Sequence, residues 1–207
     1  MVPRFFALRG IIFFLLERRD NLNDIGTKKL ETERLILRKI KLEDAHSMYK
    51  NWASDPKTND FMMWDLHQSE EETKEVIQSW LKEYEDNAYR WIVVLKDSME
   101  PIGTIDLVHY SKKQKRAEVG YCYGSKYWNH GYATEALSAV IHFLLETVGF
   151  ELVEAVHLVT NPASGRVMEK AGMKKEATLR KRYIDPKTKL RTDVCVYSIM
   201  KEDYYVF

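Results

Sequence analysis

One stretch of the chain, residues 120–136, constrains the fold most, because it joins a strand pattern to a helix pattern through a short loop. The strand-like part ends near Tyr123, and a helical spacing of apolar residues begins at Thr134. Gly131 and Ala133 place small residues at the start of that helix. Small residues let backbone N–H groups approach a ligand, and a helix N-terminus favours anions. The segment predicts either a site for an anion such as a pyrophosphate or a tight turn without a ligand, and spacing alone favours neither.

Two other phosphate-binding motifs are excluded at this place. A nucleotide P-loop needs Gly-Lys followed by Ser or Thr, and no such run follows Gly131. A dinucleotide-binding turn needs three glycines at fixed spacing, which are also missing. Any anion bound here would therefore belong to another class of ligand.

The rest of the chain alternates between strand and helix patterns. The predicted order is β-α-α-β-β-β-α-β-α-β-β. Asp55-Pro56 ends the first helix, because a residue before proline disfavours the helical conformation, and Ser69 caps the second. The strands are predicted at 34–38, 91–95, 102–108, 117–123, 153–159, 175–184 and 192–200, and the helices at 44–54, 69–84, 134–148 and 164–171. This order predicts an α/β fold of the α+β type, with a mixed central sheet flanked by helices.

Composition narrows the function classes. The chain has 207 residues, 45% of them hydrophobic, which suits one domain with a short appendage. Lys and Arg total 32 against 31 for Asp and Glu, so nucleic acid is not expected as a partner. Cys122 and Cys195 stand at no metal-ligand spacing and form no disulfide framework. We therefore expect a cytoplasmic protein without a metal.

The first residues differ in character from the rest. Residues 1–29 are predicted to be an N-terminal extension, with a short apolar helix within Phe5–Leu16 and a linker up to Gly26, and residues 30–207 to be the main domain. The apolar run is shorter than the ~20 residues that span a bilayer, and no cleavage site follows it. A docked helix, a self-association segment and a poorly ordered extension all remain open, as does a homodimer.

Four blocks of sequence, in this order along the chain, resemble a known family. They are Leu30–Arg38, Ala117–Tyr121, Trp128–Ala136 (Trp-Asn-His-Gly-Tyr-Ala-Thr-Glu-Ala) and Asn161–Met173. Together they resemble the GNAT N-acetyltransferases, and in particular the Rim-type branch that acetylates the N-termini of ribosomal proteins. The resemblance runs from about Leu30 to Tyr204. It implies the GNAT-like acyl-CoA N-acyltransferase fold, in which the family's fourth and fifth strands splay apart to admit the coenzyme.

The resemblance also implies a binding site for acetyl-CoA as acetyl donor. Trp128 opens the coenzyme loop, and backbone N–H groups of the following residues would bind the pyrophosphate. Backbone groups of the fourth strand would pair with the pantetheine arm, and an N–H near Cys122 would polarise the thioester carbonyl. Asn161 and Ser164 would face the coenzyme from the opposite turn. The implied pyrophosphate residues are His130, Gly131, Tyr132, Ala133 and Thr134, and the implied pantetheine residues are Tyr121, Cys122 and Tyr123.

The chemistry needs a base for the attacking amine and an acid for the leaving thiolate. Glu118 stands next to the expected thioester and is the first candidate base, with a strand-face salt bridge as the alternative. Many GNAT enzymes carry a tyrosine acid at the position of Met168, which cannot donate a proton. Ser164 is its candidate substitute, with a helix-capping hydroxyl as the alternative. The weaker candidates for the acid are Tyr110, Tyr121 and His157, and a ping-pong route through Cys122 is not expected.

The amine acceptor is expected to bind where the loop after the first helix meets the central strands. Acids there would attract an ammonium group, and aromatics could hold it by cation–π contact, or these aromatics could simply anchor the loop. The acceptor is a primary amine, either a protein N-terminus or a small molecule. A non-catalytic acetyl-CoA-binding sensor or interaction module is the alternative function. The loop residues are Asp55, Asp60, Phe61, Trp64, Asp65 and His67.

Overall fold

A computed structural model describes residues 22–185 and 187–204. The helix predicted within Phe5–Leu16 lies outside the described residues. The strands are β1 (Leu30–Glu31), β2 (Leu35–Arg38), β3 (Arg90–Leu95), β4 (Pro101–Ser111), β5 (Arg116–Tyr123), β6 (Leu152–Leu158), β7 (Lys174–Ile184) and β8 (Arg191–Met200). The helices are α1 (Ala45–Met48), α2 (Pro56–Asn59), α3 (Glu70–Glu83), α4 (Tyr132–His142), α5 (Pro162–Lys170) and α6 (Lys201–Tyr204).

The eight strands form one mixed sheet in the order β1-β2-β3-β4-β5-β6-β8-β7. Neighbouring strands are antiparallel except β5 and β6, which are parallel. The predicted mixed sheet flanked by helices is therefore confirmed. β1 and α2 are short elements that the sequence pattern did not indicate, and α1 and α4 each continue as a π-helical turn, Tyr49–Ala53 and Phe143–Val148.

The sheet is buried on both faces at β3, which explains the continuous apolar run of that strand. Trp91 and Val93 pack on one face with α4, whereas Ile92 and Val94 pack on the other face with the α1 region. Trp52 is also buried in that second cluster, as expected for a core tryptophan. We call these two sides the α4 face and the α1 face.

The segment predicted as a linker packs on the domain. Leu22 and Ile25 contact the α4-face core, and the Asn23 N–H donates to the Val148 carbonyl at 2.8 Å. Thr27 is buried, and its hydroxyl donates to the Ala88 carbonyl at 2.7 Å. Residues 22–29 therefore lie along the sheet without regular secondary structure.

Gly124, which directly follows β5, contacts the backbone of the turn that continues α1. A Cβ atom at Gly124 would stand 2.0 Å from the Asn51 carbonyl oxygen. Because that atom is backbone, it cannot rotate away as a side chain would. We expect Gly124→Ala to destabilise the protein by about 3 kcal/mol, at the upper end of the usual cost of overpacking. Thermal unfolding measures this, and an unchanged midpoint would contradict the close approach.

Candidate active site

A cleft opens between the two parallel strands of the sheet. Among the described residues, the pairing of β5 with β6 covers only Arg116↔Leu152, Ala117↔Val153 and Glu118↔Glu154. Beyond Glu118, β5 stays paired with β4 and β6 with β8, so the two strands diverge. The cleft therefore starts immediately after Glu118 and is bordered by residues 119–123 on one side.

Backbone N–H groups of β5 face this cleft. The Gly124 N–H donates to the Ile102 carbonyl of β4 at 3.1 Å. Hydrogen-bonding direction alternates along a strand, so the Cys122 N–H also points at β4. The N–H groups of Tyr121 and Tyr123 point the other way, toward β6. The donors on the cleft side are thus the neighbours of Cys122 and not Cys122 itself. Alternate N–H groups of a strand point to opposite neighbours, and the sequence pattern alone does not show which set faces the cleft.

The start of α4 lies just beyond the end of β5. Gly131 precedes the helix with a left-handed φ of +81°, a conformation that glycine adopts without steric cost. Asn129 is also left-handed, at φ +64°. These two residues turn the chain so that the first N–H groups of α4, from Tyr132 to Thr134, lack helical acceptors. Unpaired N–H groups of this kind, at the N-terminus of an eleven-residue helix, are suited to bind an anion.

Across the cleft, β5 contacts the first turn of α5 through a hydroxyl pair. The Tyr121 and Ser164 hydroxyl oxygens are 2.8 Å apart, and the Tyr121 hydroxyl is also 3.0 Å from the Ser164 carbonyl. The Asn161 side chain caps α5 by accepting the Ser164 N–H at 3.3 Å. Burial raises the pKa of the Tyr121 phenol well above its usual value. The Tyr121 phenol therefore remains protonated at neutral pH, and when it donates to the Ser164 hydroxyl, the Ser164 proton is left for a third group.

Glu118 and the hydroxyl pair lie on opposite faces of the sheet. Val119, Tyr121 and Tyr123 pack on the α4 face, so alternation turns Glu118 toward the α1 face. Glu118 is half-buried and stands at the vertex of the cleft. A group held in the cleft would have a carboxylate on one side and a hydroxyl on the other.

Sequence comparison identifies the family to which this site belongs. An acetyltransferase (GNAT) domain model matches residues 34–174. The chain belongs to the GNAT acetyltransferase family. It is 34% identical over 173 residues to the uncharacterized N-acetyltransferase YoaA of Bacillus subtilis, a match that covers 83% of this chain and 96% of YoaA.

Solved structures agree with this assignment. A GNAT-family acetyltransferase from Bacillus anthracis superposes with a TM-score of 0.75 at 25% identity, covering 84% of this chain and 99% of that one. A ribosomal-protein-S5-alanine acetyltransferase from Vibrio fischeri superposes with a TM-score of 0.74 at 20% identity, covering 86% and 98%. The second likeness shows the fold alone. GNAT enzymes use acetyl-CoA as donor, so this chain is an acetyl-CoA-dependent N-acetyltransferase.

Met168, at the position of the family's acid, two of the weaker acid candidates and Cys122 are each held by packing, hydrogen bonds or burial. Met168 is buried in the α4-face core. Tyr110 packs against the rings of Tyr89 and Phe150, with centroids 5.9 and 6.1 Å away. The His157 ring donates from Nδ1 to the Leu158 carbonyl at 2.8 Å and packs against Tyr197. Burial raises the pKa of the Cys122 thiol, so the thiolate needed for a ping-pong route is disfavoured.

The loop expected to bind the acceptor is tied to β5 by hydrogen bonds. Asp55 accepts the Ser125 N–H at 2.9 Å, the Thr58 hydroxyl at 2.8 Å and the Lys57 N–H at 3.0 Å. Burial opposes its ionisation, but these hydrogen bonds lower the pKa of Asp55 overall. Asp55 is therefore an anchor of the loop and has few positions left for an ammonium group.

His67 and Phe61 also anchor this loop. The His67 ring is buried, with Nδ1 2.8 Å from the Thr73 hydroxyl, and burial lowers its pKa. The Phe61 ring lies 6.2 Å from that of Trp128. The Trp128 indole N–H donates to the Tyr123 carbonyl at 2.8 Å, so the acceptor loop and the coenzyme loop meet at the end of β5.

Two polar groups at the site were not singled out from the sequence. Asp106 on β4 pairs with Gly120 of β5 and therefore shares the α1 face with Glu118. Its carboxylate accepts from Arg90 at 3.1 Å, and burial raises its pKa. Arg34 contacts the coenzyme loop. Asp106 could have been found from the sequence, because it is the one charged residue in the predicted strand Ile102–Val108. No comparable sequence feature pointed to Arg34.

Two other features, a metal-binding cluster and a membrane-spanning helix, are missing from the described part of the chain. No group of three or more His, Cys, Asp or Glu side chains there could hold a metal ion. Within the same residues, no helix is long and apolar enough to cross a membrane.

Proposed function

We propose that this GNAT enzyme transfers acetyl from acetyl-CoA directly to a primary amine. The observation that carries the proposal is the cleft itself, which combines free N–H groups of β5, the N-terminus of α4 and protonatable groups on both faces. The coenzyme would supply the activated acetyl group as a thioester. The N–H groups of Tyr132 to Thr134 would receive its pyrophosphate, and β5 would pair with its pantetheine arm.

The side chains at the cleft suit a direct transfer. Glu118, on the α1 face, would take the proton from the amine, through water where the distance requires it. The N–H of Tyr121 or Tyr123 would stabilise negative charge on the thioester oxygen. Ser164, on the other side, would give a proton to the leaving thiolate, and Tyr121 would replenish or orient it. Base and acid would thus act on opposite sides of the reacting carbon.

The hydroxyl pair leads to a prediction about the acid. We expect Ser164→Ala to lower kcat by about tenfold to a hundredfold, at or below the lower limit of the usual range for general acid–base catalysis, because Tyr121 remains beside the leaving thiolate. The dissociation constant of acetyl-CoA should change little, because backbone groups would hold most of the coenzyme. Tyr121→Phe should give a smaller decrease in kcat. Steady-state kinetics and calorimetry measure both values, and an unchanged kcat in Ser164→Ala would assign Ser164 to helix capping.

For the acceptor, we propose a protein N-terminus, as in the Rim-type branch. Two observations support this acceptor. Four sequence blocks resemble that branch, and the fold is shared with the Vibrio fischeri enzyme, which is named a ribosomal-protein-S5-alanine acetyltransferase. The exposed carboxylates of the acceptor loop, such as Asp60 and Asp65, would attract a terminal ammonium group.

An acceptor panel tests this proposal. The purified protein would be incubated with acetyl-CoA and either peptides with free N-termini, the same peptides with blocked N-termini, or small amines, while released thiol is measured. We expect thiol release with free N-termini only. Release with small amines alone would contradict the acceptor assignment. Tight binding of acetyl-CoA without turnover of any amine would instead indicate a non-catalytic sensor, a role consistent with Met168 in place of the family's tyrosine acid.

A further inference from the structure

The helix that would receive the pyrophosphate carries an acid in its first turn. Glu135 lies in that turn, and a carboxylate there would repel a second anion at the same N-terminus. A site that binds pyrophosphate must therefore neutralise this carboxylate or hold it away.

Glu135 is held by residues from the first part of the chain. Its Oε1 accepts the Thr32 hydroxyl at 2.5 Å and the Arg34 backbone N–H at 2.9 Å. Its Oε2 accepts Arg34 Nε–H and Nη2–H, both at 2.7 Å. Burial opposes ionisation of Glu135, but these bonds outweigh it and lower the pKa of that carboxyl. The acid is thus ionised and paired on both oxygens.

Arg34 also contacts two residues of the coenzyme loop and lies beside a third. Its Nη1 donates to the His130 carbonyl at 2.9 Å, and its guanidinium carbon lies 4.7 Å from the centre of the Tyr132 ring. Its Nη2 is 3.4 Å from the place where a Cβ would stand on Gly131. The guanidinium therefore lies between Glu135 and the backbone that would bind the anion.

We propose that Arg34 is a positioning residue for the donor, which orders the coenzyme loop and offsets the Glu135 charge beside the pyrophosphate. This inference rests on the proposed function. It differs from a purely structural role in one respect. Its effect should depend on whether the donor carries a pyrophosphate, whereas a structural defect would weaken all donors alike.

The experiment compares two acetyl donors in the Arg34→Ala variant. With acetyl-CoA, we expect the KM to rise by about tenfold or more, the size expected for losing one charged hydrogen-bonding group. With S-acetyl-pantetheine, which lacks the pyrophosphate, the ratio of kcat to KM should stay within about twofold of wild type. Calorimetric titration with free CoA gives the same comparison without any acceptor and should show a matching loss of affinity.

A second variant separates charge from loop order. Arg34→Ala/Glu135→Gln removes the uncompensated carboxylate, and we expect it to recover a large part of the lost CoA affinity. The matched control is Arg38→Ala at the end of β2, the strand that directly follows Arg34, and it breaks a similar guanidinium–carboxylate pair with Asp44 (2.8 Å) away from the loop. This control should leave the KM for acetyl-CoA unchanged.

Three outcomes would overturn the role of Arg34. They are an equal loss with both donors, an Arg38→Ala effect of the same size, and an unchanged CoA affinity in Arg34→Ala. A wild-type protein that binds no CoA would instead contradict the proposed function itself, because the loop would then bind no donor for Arg34 to position.

Discussion

Acetyl-CoA binding should fall by about 100-fold or more in Gly131→Glu, which is over 2.7 kcal/mol of binding free energy. Two effects add at this position. The left-handed φ of +81° costs a side-chain-bearing residue about 1–2 kcal/mol. A new carboxylate beside the first N–H groups of α4 would also repel the pyrophosphate at the place where the backbone would bind it. Isothermal titration calorimetry measures the dissociation constant directly.

Two controls separate these effects. Gly131→Ala carries the backbone cost without the charge, so its loss of affinity should be several-fold only. Gly149→Glu adds the same side chain at another left-handed glycine, φ +95°, before β6 at the end of the sheet where β5 and β6 are paired. It should lower stability and leave the dissociation constant unchanged. Normal binding in Gly131→Glu would show that the anion site lies elsewhere.

The second large effect is expected in Glu118→Gln. Glutamine keeps the size of the side chain at the vertex of the cleft but cannot accept the amine proton. We expect kcat to fall by about 100-fold to 1,000-fold, within the usual range for a general base. The dissociation constant of acetyl-CoA should remain within about twofold of wild type, because the coenzyme would be held by backbone groups. Steady-state kinetics of wild type and variant, run at the same series of pH values, measure the difference in kcat.

Glu154→Gln is the matched control for this experiment. Glu154 is the β6 register partner of Glu118, is half-buried and pairs with Arg116 at 3.2 Å. Alternation places it on the same face, so its removal changes the local charge equally without removing the proposed base. Equal rates for wild type and Glu118→Gln across pH would exclude Glu118 as the base. A similar fall in kcat in Glu154→Gln would show that the effect comes from the electrostatic field of both carboxylates and not from proton transfer to Glu118.

Local patterns were sufficient to predict most of the fold. The continuous apolar run of β3 and the helical spacing after Thr134 are local patterns. Each arises because burial of a single strand or helix selects apolar residues at regular positions along it. The α4 boundary was predicted two residues late, at Thr134 instead of Tyr132, because the left-handed Gly131 already closes the turn. Two-residue β1 is too short for any period to appear.

The parts that were not predicted depend on contacts between distant residues. Arg34 and Glu135 are 101 positions apart, and Tyr121 and Ser164 are 43 apart, so no local period relates them. The sequence left open whether the loop after the first helix binds the acceptor or is anchored, and the Asp55 carboxylate accepts from Ser125, 70 positions away. Residue type alone shows which groups a side chain can bind, and only the packing of the sheet shows which of them are already bound.

Hydrogen exchange with and without acetyl-CoA tests the central claim most directly, namely that the cleft between β5 and β6 and the start of α4 form the donor site. We expect slower exchange on adding acetyl-CoA in peptides that cover 119–134 and 161–164, with little change in β2 to β4. We also expect this protection to be lost in Gly131→Glu. Unchanged exchange in residues 119–134, or protection confined to another part of the chain, would contradict the account.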